Sequence, residues 1–287
     1  MNHWRLIVGS GSITSDWELI DQEKLVAEAL AEPVNPFMQT RKEISRLVRL
    51  TLPDIFYFKT YDKVYYYGAG CSNPERRLKV EQSLTTQFRS PVTAYPLILG
   101  CARGLLQDES GIQCILANHS SACLYDGKMI SDLSRSAGYL LGDEGSAVAL
   151  GRMFLADVMR SIAPRTIADD FMVKYKVLSN NDLRDLVYQH PEIEKLLVSV
   201  ALFLKDYKKH SYVRALVLKN FKDFFVRCVM RYDDYKNLPF SAVGHMAYDF
   251  RAELKEVAKE YDVKEVHAVE VKPMTGLVQY HLNHPEV

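Results

Sequence analysis

Two short hairpin patterns, each closed by small or polar residues, constrain the fold more than any other feature of the sequence. In the first pattern, around LIVGSGSITSDW at 6–17, apolar runs at residues 4–8 and 17–20 flank a turn at 9–15. In the second pattern, apolar runs at 112–117 and 123–125 flank the segment NHSS. Short apolar runs separated by Gly, Ser and Asn are typical of antiparallel hairpins. Because one hairpin opens each half of the chain, the sequence predicts an α/β protein of two domains.

The segments that follow the first hairpin carry clear helix signals. Thr40 and Glu43 form a capping box ahead of apolar residues at helical spacing, and Asn73 before Pro74 indicates a second helix start. The segment at 23–32, EKLVAEALAE, consists of helix formers but stands where the hairpin order favours a third strand, and we predict a strand. Further predicted elements are strands at 64–70, 92–95 and 266–271, and helices at 96–106, 146–162, 181–189, 192–206, 213–230 and 248–261.

The length of the chain also favours two domains. At 287 residues it exceeds the usual domain size of about 100–200 residues. We predict an N-terminal domain at 1–110, joined by a C-terminal helix at about 274–287, and a C-terminal domain at 111–273 with a helical insertion. Ligands often bind between domains, so a central cleft is the expected site.

Composition excludes several classes of partner. Lys plus Arg and Asp plus Glu number 36 each, so no basic face for nucleic acid is expected. The five cysteines show no CxxC spacing, which predicts buried free thiols in a reducing compartment. The longest apolar stretch, LLVSVALFL, is far shorter than the roughly 20 residues of a membrane span, and MNHWRLIVG is not a secretory signal. We therefore expect a cytoplasmic protein without membrane or nucleic-acid partners.

Eight segments in order along nearly the whole chain carry a further signal: GSGSITSDW, VNPF, YYYGAGC, LGCARGL, GIQCILANHSSACLYDGK, GYLLGDEGSAVALGR, VGHMAYDFR and KPMTGLVQYH. Together they resemble the N-acetylglucosamine kinase family and the related BadF/BadG-type ATPases of the actin, hexokinase and heat-shock ATPase superfamily. The resemblance implies two ribonuclease-H-like domains that clamp ATP, Mg²⁺ and an amino sugar in a central cleft.

The first loop and the catalytic position depart from this family pattern. In the loop formed by Gly9, Ser10, Gly11, Ser12 and Thr14, Gly9 replaces the metal-linked aspartate and Thr14 replaces a lysine. Phosphoryl transfer depends on positioning and on charge neutralisation by Mg²⁺ and cations. Leu97 stands where the resemblance places the general base, and its side chain cannot accept a proton. Asp16 is the remaining candidate for holding a metal ion.

The second loop and the adenosine-side turn depart as well. His119, beside Ser120, replaces a glycine of the second phosphate loop, and His245 follows Gly244 where the family has glycine and serine. Imidazole side chains hinder the close backbone approach to a phosphate that glycine allows. The two histidines either fill the space of a nucleotide or form a metal pair, for which no third ligand is evident.

The resemblance leaves four candidate sugar contacts: Asn35, Asn118, Ser121 and Asp143. Asn118 and Ser121 replace a threonine and an asparagine, whereas Asn35 and Asp143 match the family. Asp143 also precedes a predicted helix, where a carboxylate is favourable without any ligand.

Three functions remain open. The first is a catalytically impaired relative, a pseudokinase with a sugar-binding, sensing or scaffold role. The alternative is an active ATP-dependent N-acetylhexosamine kinase whose catalytic groups have moved, with Asp143 as base and Asp16 on the metal. The third is a purely structural role, as a homodimer.

Overall fold

The computed structural model describes residues 4–22, 24–58 and 60–285, and contacts within the chain divide it into two compact units. The first unit comprises Met1–Glu109, Tyr125–Ile130 and Lys272–Val287. The second comprises Ser110–Leu124 and Ser131–Val271.

A five-stranded mixed sheet forms the centre of the first unit. Its strand order is β3-β2-β1-β4-β5, in which β1, β2 and β3 are antiparallel neighbours and β4 and β5 run parallel to β1. The strands are β1 (Trp4–Ser10), β2 (Ser15–Asp21), β3 (Lys24–Ala31), β4 (Lys63–Gly68) and β5 (Val92–Pro96), and the helices are α1 (Arg41–Thr51), α2 (Pro74–Phe88), α3 (Leu97–Leu106) and α12 (Met274–Asn283).

Local sequence signals explain these elements. Gly11 N donates to Thr14 O at 2.9 Å and closes the predicted hairpin between β1 and β2. The Thr40 side chain accepts from the Glu43 amide, and the Glu43 carboxylate accepts from the Thr40 amide, so the predicted capping box is confirmed. The strand predicted in EKLVAEALAE is confirmed as β3, whereas Glu23 lies outside the described residues.

The two faces of this sheet bury different sets of side chains, because successive residues of a strand point to opposite faces. Leu6 and Val8 of β1 pack in a cluster with α1 and α2. Ile7 of β1 packs in a second cluster with Leu99 of α3 and Leu277 of α12. The sheet is therefore covered on both faces.

The second unit repeats this arrangement. Its sheet has the order β10-β9-β6-β7-β8, so that counted from its first strand it has the same 3-2-1-4-5 order as the first sheet. The strands are β6 (Gly111–Leu116), β7 (Ser120–Tyr125), β8 (Ile130–Leu133), β9 (Phe240–Val243) and β10 (Val266–Glu270). Two α/β units with this ribonuclease-H-like strand order confirm the predicted actin-like fold class.

Helices make up most of the remaining second unit and bury one large apolar cluster. The predicted helix at 213–230 is α9 followed by a π-helical turn at Phe225–Val229. The sequence did not predict α4, α6 or a separate helix α10. The helices are α4 (Gly138–Leu141), α5 (Ala147–Met159), α6 (Arg165–Lys174), α7 (Asn180–Tyr188), α8 (Ile193–Lys205), α9 (Ser211–Phe224), α10 (His245–Asp249) and α11 (Arg251–Glu260).

Two further observations concern the cysteines and the helices. All five cysteines are free thiols and four of them are buried, as predicted. Across 4–22, 24–58 and 60–285, none of the helices has both the length and the apolar character that a bilayer crossing requires.

Candidate functional site

In the first unit, the candidate residues gather at one edge of the sheet. Strands β1, β4 and β5 are parallel neighbours that end at Ser10, Gly68 and Pro96. The loop after β1 and the first turn of α3, which begins at Leu97, therefore lie at the same edge. Ligands of open α/β sheets bind beyond the carboxyl ends of the strands, so this edge is where a site is expected.

Gly9 is packed too closely to be replaced by a longer side chain without rearrangement. It lies inside β1, between Asp16 of β2 and Tyr67 of β4. A Cβ atom at Gly9 would lie 2.5 Å from Sδ of Met274, so the end of this flexible side chain would have to move. The thioether of Met274 thus occupies the space where a carboxylate at position 9 would have to begin.

Asp16 is held by a lysine from the far end of the chain. Lys272 Nζ lies 2.5 Å from Asp16 Oδ1. Burial raises the pKa of nearby Glu18 to about 7, with further upward contributions from Glu28 and Asp16, which Lys272 opposes. Among the residues that the structure describes, no three His, Cys, Asp or Glu side chains form a group that could hold a metal ion.

The remaining residues of this edge are mostly engaged in local structure. Ser10 is buried, and its Oγ accepts from Val34 N at 3.2 Å. Asn35 is exposed, and its Oδ1 accepts from Phe37 N at 3.0 Å in an Asx turn. Ser12 and Thr14 lie on the hairpin loop, where Thr14 supplies the carbonyl that closes the turn.

Leu97 occupies the first position of α3, as predicted, and makes apolar contacts there. Pro96 precedes it, and the first turn of the helix contains no acidic residue. The half-buried Leu97 packs against the cluster that includes Ile7. A proton acceptor is therefore missing from the helix start itself.

In the second unit, β6 and β9 are parallel neighbours, so the segments that follow them lie side by side. His245 Nε2 is 3.1 Å from Asn118 Oδ1, and burial lowers the pKa of His245. Gly244, with φ of +123°, is required here because a Cβ atom would lie 2.3 Å from the Leu116 carbonyl oxygen. The two departures from the family pattern, Asn118 and His245, thus contact each other.

His119 contacts the candidate sugar residue Asp143. His119 Nδ1 is 2.7 Å from Asp143 Oδ2, and its Nε2 is 3.6 Å from Glu194 Oε2. The hydrogen bond to Asp143 raises the pKa of His119, with smaller electrostatic contributions from Asp143 and Glu194, against the effect of burial. The Asp143 side chain is only 2% exposed, whereas that of His119 is 44% exposed.

The loop that carries Asp143 is fixed by two helices. Asn220 of α9 accepts from Gly145 N at 2.7 Å and donates to Ser146 O at 3.0 Å. Arg152 of α5 donates to Gly142 O at 3.0 Å. Sequence reasoning missed Asn220, although a polar residue on the apolar face of a predicted helix is a usable signal. These bonds hold Asp143 in its left-handed backbone conformation, φ 59°.

Ser120 and Ser121 begin β7, directly after His119. Ser120 and Asp143 line a cavity of about 440 Å³. Ser121 is half-buried and is not among the lining residues of that cavity.

Solved structures resemble the chain over its full length. A "putative N-acetylglucosamine kinase" from Porphyromonas gingivalis is 33% identical, with a TM-score of 0.89 and coverage of 98% of this chain and 99% of that one. A "putative N-acetylglucosamine kinase" from Chromobacterium violaceum, at 14% identity and TM-score 0.76, covers 97% and 98%. A ROK family glucokinase from Streptomyces griseus, solved with glucose and AMPPNP, is 12% identical with TM-score 0.56 and covers 98% of each chain.

The similarities to the Chromobacterium violaceum and Streptomyces griseus proteins, at 14% and 12% identity, show the fold alone. No protein-family model matches the chain, and no curated protein matches it. The identity to the Porphyromonas gingivalis protein, spread over both whole chains, agrees with the paired ribonuclease-H-like sheets described above. The chain therefore belongs to the N-acetylglucosamine kinase family of actin-like sugar kinases.

Proposed function

We propose that this chain is a non-catalytic member of its family, a pseudokinase that binds an amino sugar without phosphorylating it. The observation that carries the proposal is that Gly9, with Met274 Sδ beside it, occupies the position on β1 where the family resemblance places the metal-linked carboxylate. A sensing or scaffold role follows if sugar binding is retained without turnover.

The chemistry of phosphoryl transfer supports this proposal. The reaction needs cations on the phosphate oxygens and a base or positioning group at the attacking hydroxyl. At the first-unit edge, Gly9 offers no carboxylate, Asp16 is paired with Lys272, and Leu97 begins α3. These residues do not fit a Mg²⁺ ion held in the manner that the family resemblance implies.

The sugar-binding part of the proposal rests on Asp143. Its Oδ2 accepts from His119 at 2.7 Å, and Asp143 is one of the residues that line the cavity of about 440 Å³. Asn220 fixes the backbone on the C-terminal side of Asp143 at Gly145 and Ser146. Because the side chain of Asp143 is only 2% exposed, we propose that His119 moves away when a sugar hydroxyl reaches this carboxylate.

One observation favours the alternative of an active kinase with relocated groups. Lys272 brings an ammonium group to the first loop, where Thr14 stands in place of the family lysine. In that case Asp143 would act as the base, and Asp16 would have to leave Lys272 to hold the metal. The compartment that we propose for either function is the cytoplasm, where the five cysteines, none of which is in a disulfide, would stay reduced.

A binding experiment tests the proposed function. Thermal shift and calorimetry with N-acetylglucosamine should show binding, because a ligand of the folded state raises its apparent stability, whereas Mg-ATP should give no shift. Asp143→Ala should abolish the sugar signal, and Asp169→Ala, an exposed acid on α6, should leave it unchanged. Binding of no sugar would favour the purely structural role instead.

A further inference from the structure

Helix α12 of the first unit packs closely on α3 and carries a buried histidine. A Cβ atom at Gly276 would overlap the carbonyl oxygen of Gly104, so the two helices touch backbone to backbone. The side-chain amide of Gln107 donates to Gly276 O at 2.9 Å. His281, near the end of α12, is completely buried. Its imidazole therefore depends on the protein, not on solvent, for hydrogen-bond partners.

Two consecutive hydrogen bonds fix the protonation of this imidazole. Arg103 Nη1 donates to Tyr67 Oη at 2.7 Å, and Tyr67 Oη lies 2.9 Å from His281 Nε2. Burial raises the pKa of Tyr67, so its hydroxyl keeps its proton. Because arginine can only donate, the phenol proton of Tyr67 is directed to Nε2. A nitrogen that accepts carries no proton, and His281 is therefore neutral in this arrangement.

The charged groups around His281 do not favour an imidazolium ion. Those that act on its ring are Arg103, Arg5, Lys63 and His284. Burial, followed by these charges, lowers the pKa of His281 well below its usual value. Arg5 of β1 also donates to the carbonyl oxygen of His281, and Asp108 is paired with His284 at 3.0 Å. The remaining titratable neighbours, whose rings contact the imidazole, are Tyr65, Tyr67 and Tyr280.

Protonation of His281 disrupts this arrangement. Nε2 then becomes a donor, so the Tyr67 oxygen faces two donors, His281 and Arg103, and its own proton loses its acceptor. The new positive charge is buried beside a guanidinium group, which is costly without a paired carboxylate. In a detached helix the imidazole meets water and takes up a proton at the usual histidine pKa of about 6.5. Acid therefore favours a state in which α12 has left the sheet.

The start of the same helix covers the first loop. Lys272, two residues before α12, pairs with Asp16. Met274, the first residue of α12, places its Sδ beside Gly9. Detachment of α12 would therefore uncover Asp16 and Gly9 together.

We infer that His281 is an acid-sensitive switch that holds α12 against Tyr67 when neutral and releases the helix, and with it the cover of the first loop, when protonated. The free energy that holds α12 is fully present above about pH 6.5 and declines as pH falls, because the detached helix binds the extra proton. Sugar binding does not enter this inference, because the residues that carry it belong to the first unit.

Hydrogen exchange of the full chain, followed by mass spectrometry at pH 7 and pH 5, tests this inference. After correction for intrinsic exchange rates, the protection of α12 should fall by at least about tenfold. The reason is that, below the usual histidine pKa, each pH unit favours the protonated, detached helix by about tenfold. Helix α1, which covers the opposite face of the same sheet, should keep its protection.

Two variants separate His281 from the rest of the helix. His281→Gln offers Tyr67 a neutral acceptor at every pH, so the protection of α12 should change by less than about twofold between pH 7 and pH 5. His284→Gln changes the histidine directly after α12, whose pairing with Asp108 is strengthened in acid, and should retain at least the wild-type fall.

Nitrogen-15 NMR of histidine-labelled wild-type protein keeps the test decisive even where His281→Gln fails to fold. At pH 7, Nε2 of His281 should give the signal of an unprotonated, hydrogen-bonded nitrogen. Any of four results would overturn the inference: a protonated His281 at pH 7, full protection of α12 at pH 5, an equal loss in α1, or a loss that persists in folded His281→Gln.

Discussion

His119 Nδ1 lies 2.7 Å from Oδ2 of Asp143. His119 stands where the family has a loop glycine, and Asp143 is the acid that the family resemblance assigns to sugar contact. The same contact explains why the pKa of His119 is raised. An imidazole in place of glycine therefore does more than fill space in the second phosphate loop. Under the proposed function, a bound sugar would have to compete with it for one carboxylate oxygen of Asp143.

This competition should make sugar affinity depend on pH. The protonated imidazole attracts the Asp143 carboxylate most strongly, and protonation is lost as pH rises through the raised pKa of His119. We expect the affinity for N-acetylglucosamine to increase several-fold between about pH 6 and pH 9. Calorimetry across this range is the measurement.

The variant His119→Gln should bind the sugar with little pH dependence over the same range. His267→Gln, which changes an exposed histidine of β10, should keep the wild-type profile. A pH-independent wild-type affinity would contradict competition by His119.

Gly9 and Met274 should be energetically coupled. Gly9→Ala places a Cβ atom 2.5 Å from the present position of Met274 Sδ, which must move, and should lower the free energy of unfolding by about 1 kcal/mol, the lower end of the overpacking range. The cost should be smaller in a Met274→Ala background. Urea denaturation of the four members of this double-mutant cycle measures the coupling.

Gly11→Ala is the matched control for this cycle. A Cβ atom at Gly11 would meet only the Thr14 carbonyl oxygen at 3.6 Å, an ordinary contact, so the substitution should cost little. If Gly9→Ala is as mild as Gly11→Ala, the space at position 9 is not closed and a side chain could return there.

Glu18 should make the first unit less stable as pH rises. Its pKa is raised from 4.5 to about 7, chiefly by burial, so the folded state resists ionisation that the unfolded state undergoes at lower pH. The stability that the protonated carboxyl retains below pH 4.5 is therefore lost as pH rises through about 7.

The variant Glu18→Gln should remove this loss. Its free energy of unfolding, relative to that of the wild type, should be higher at pH 8 than at pH 4.5 by about 1 kcal/mol, a figure reduced for solvent screening of a half-buried group. Glu32→Gln, at an exposed site after β3, should show no such trend. Parallel pH profiles of the wild type and Glu18→Gln would refute the burial of this carboxyl.

Much of the fold could be predicted because its signals are local. The Thr40 and Glu43 capping box, the hairpin closed between Gly11 and Thr14, and the start of α3 at Leu97 each depend on residues a few positions apart. Helix α6 was missed because it has a Pro164 cap without a side-chain hydrogen bond and a weakly apolar sequence.

The contacts of the candidate site could not be predicted in the same way. Lys272 and Asp16 are 256 positions apart, and Asn220 is 75 positions from Gly145. The residues next to Asp16 or Gly145 in the sequence do not specify these partners. The topology brings the partners together, because it decides which strand ends and helix faces are neighbours. The contact between His119 and Asp143 is of the same kind.

Sugar-dependent release of ADP from Mg-ATP is the most direct test of the central claim, that the site binds a sugar but does not transfer phosphate. With N-acetylglucosamine, the account predicts no ADP above that of a heat-inactivated sample. ADP release that requires the sugar, persists in the Asp169→Ala control and is lost in Asp143→Ala would contradict it.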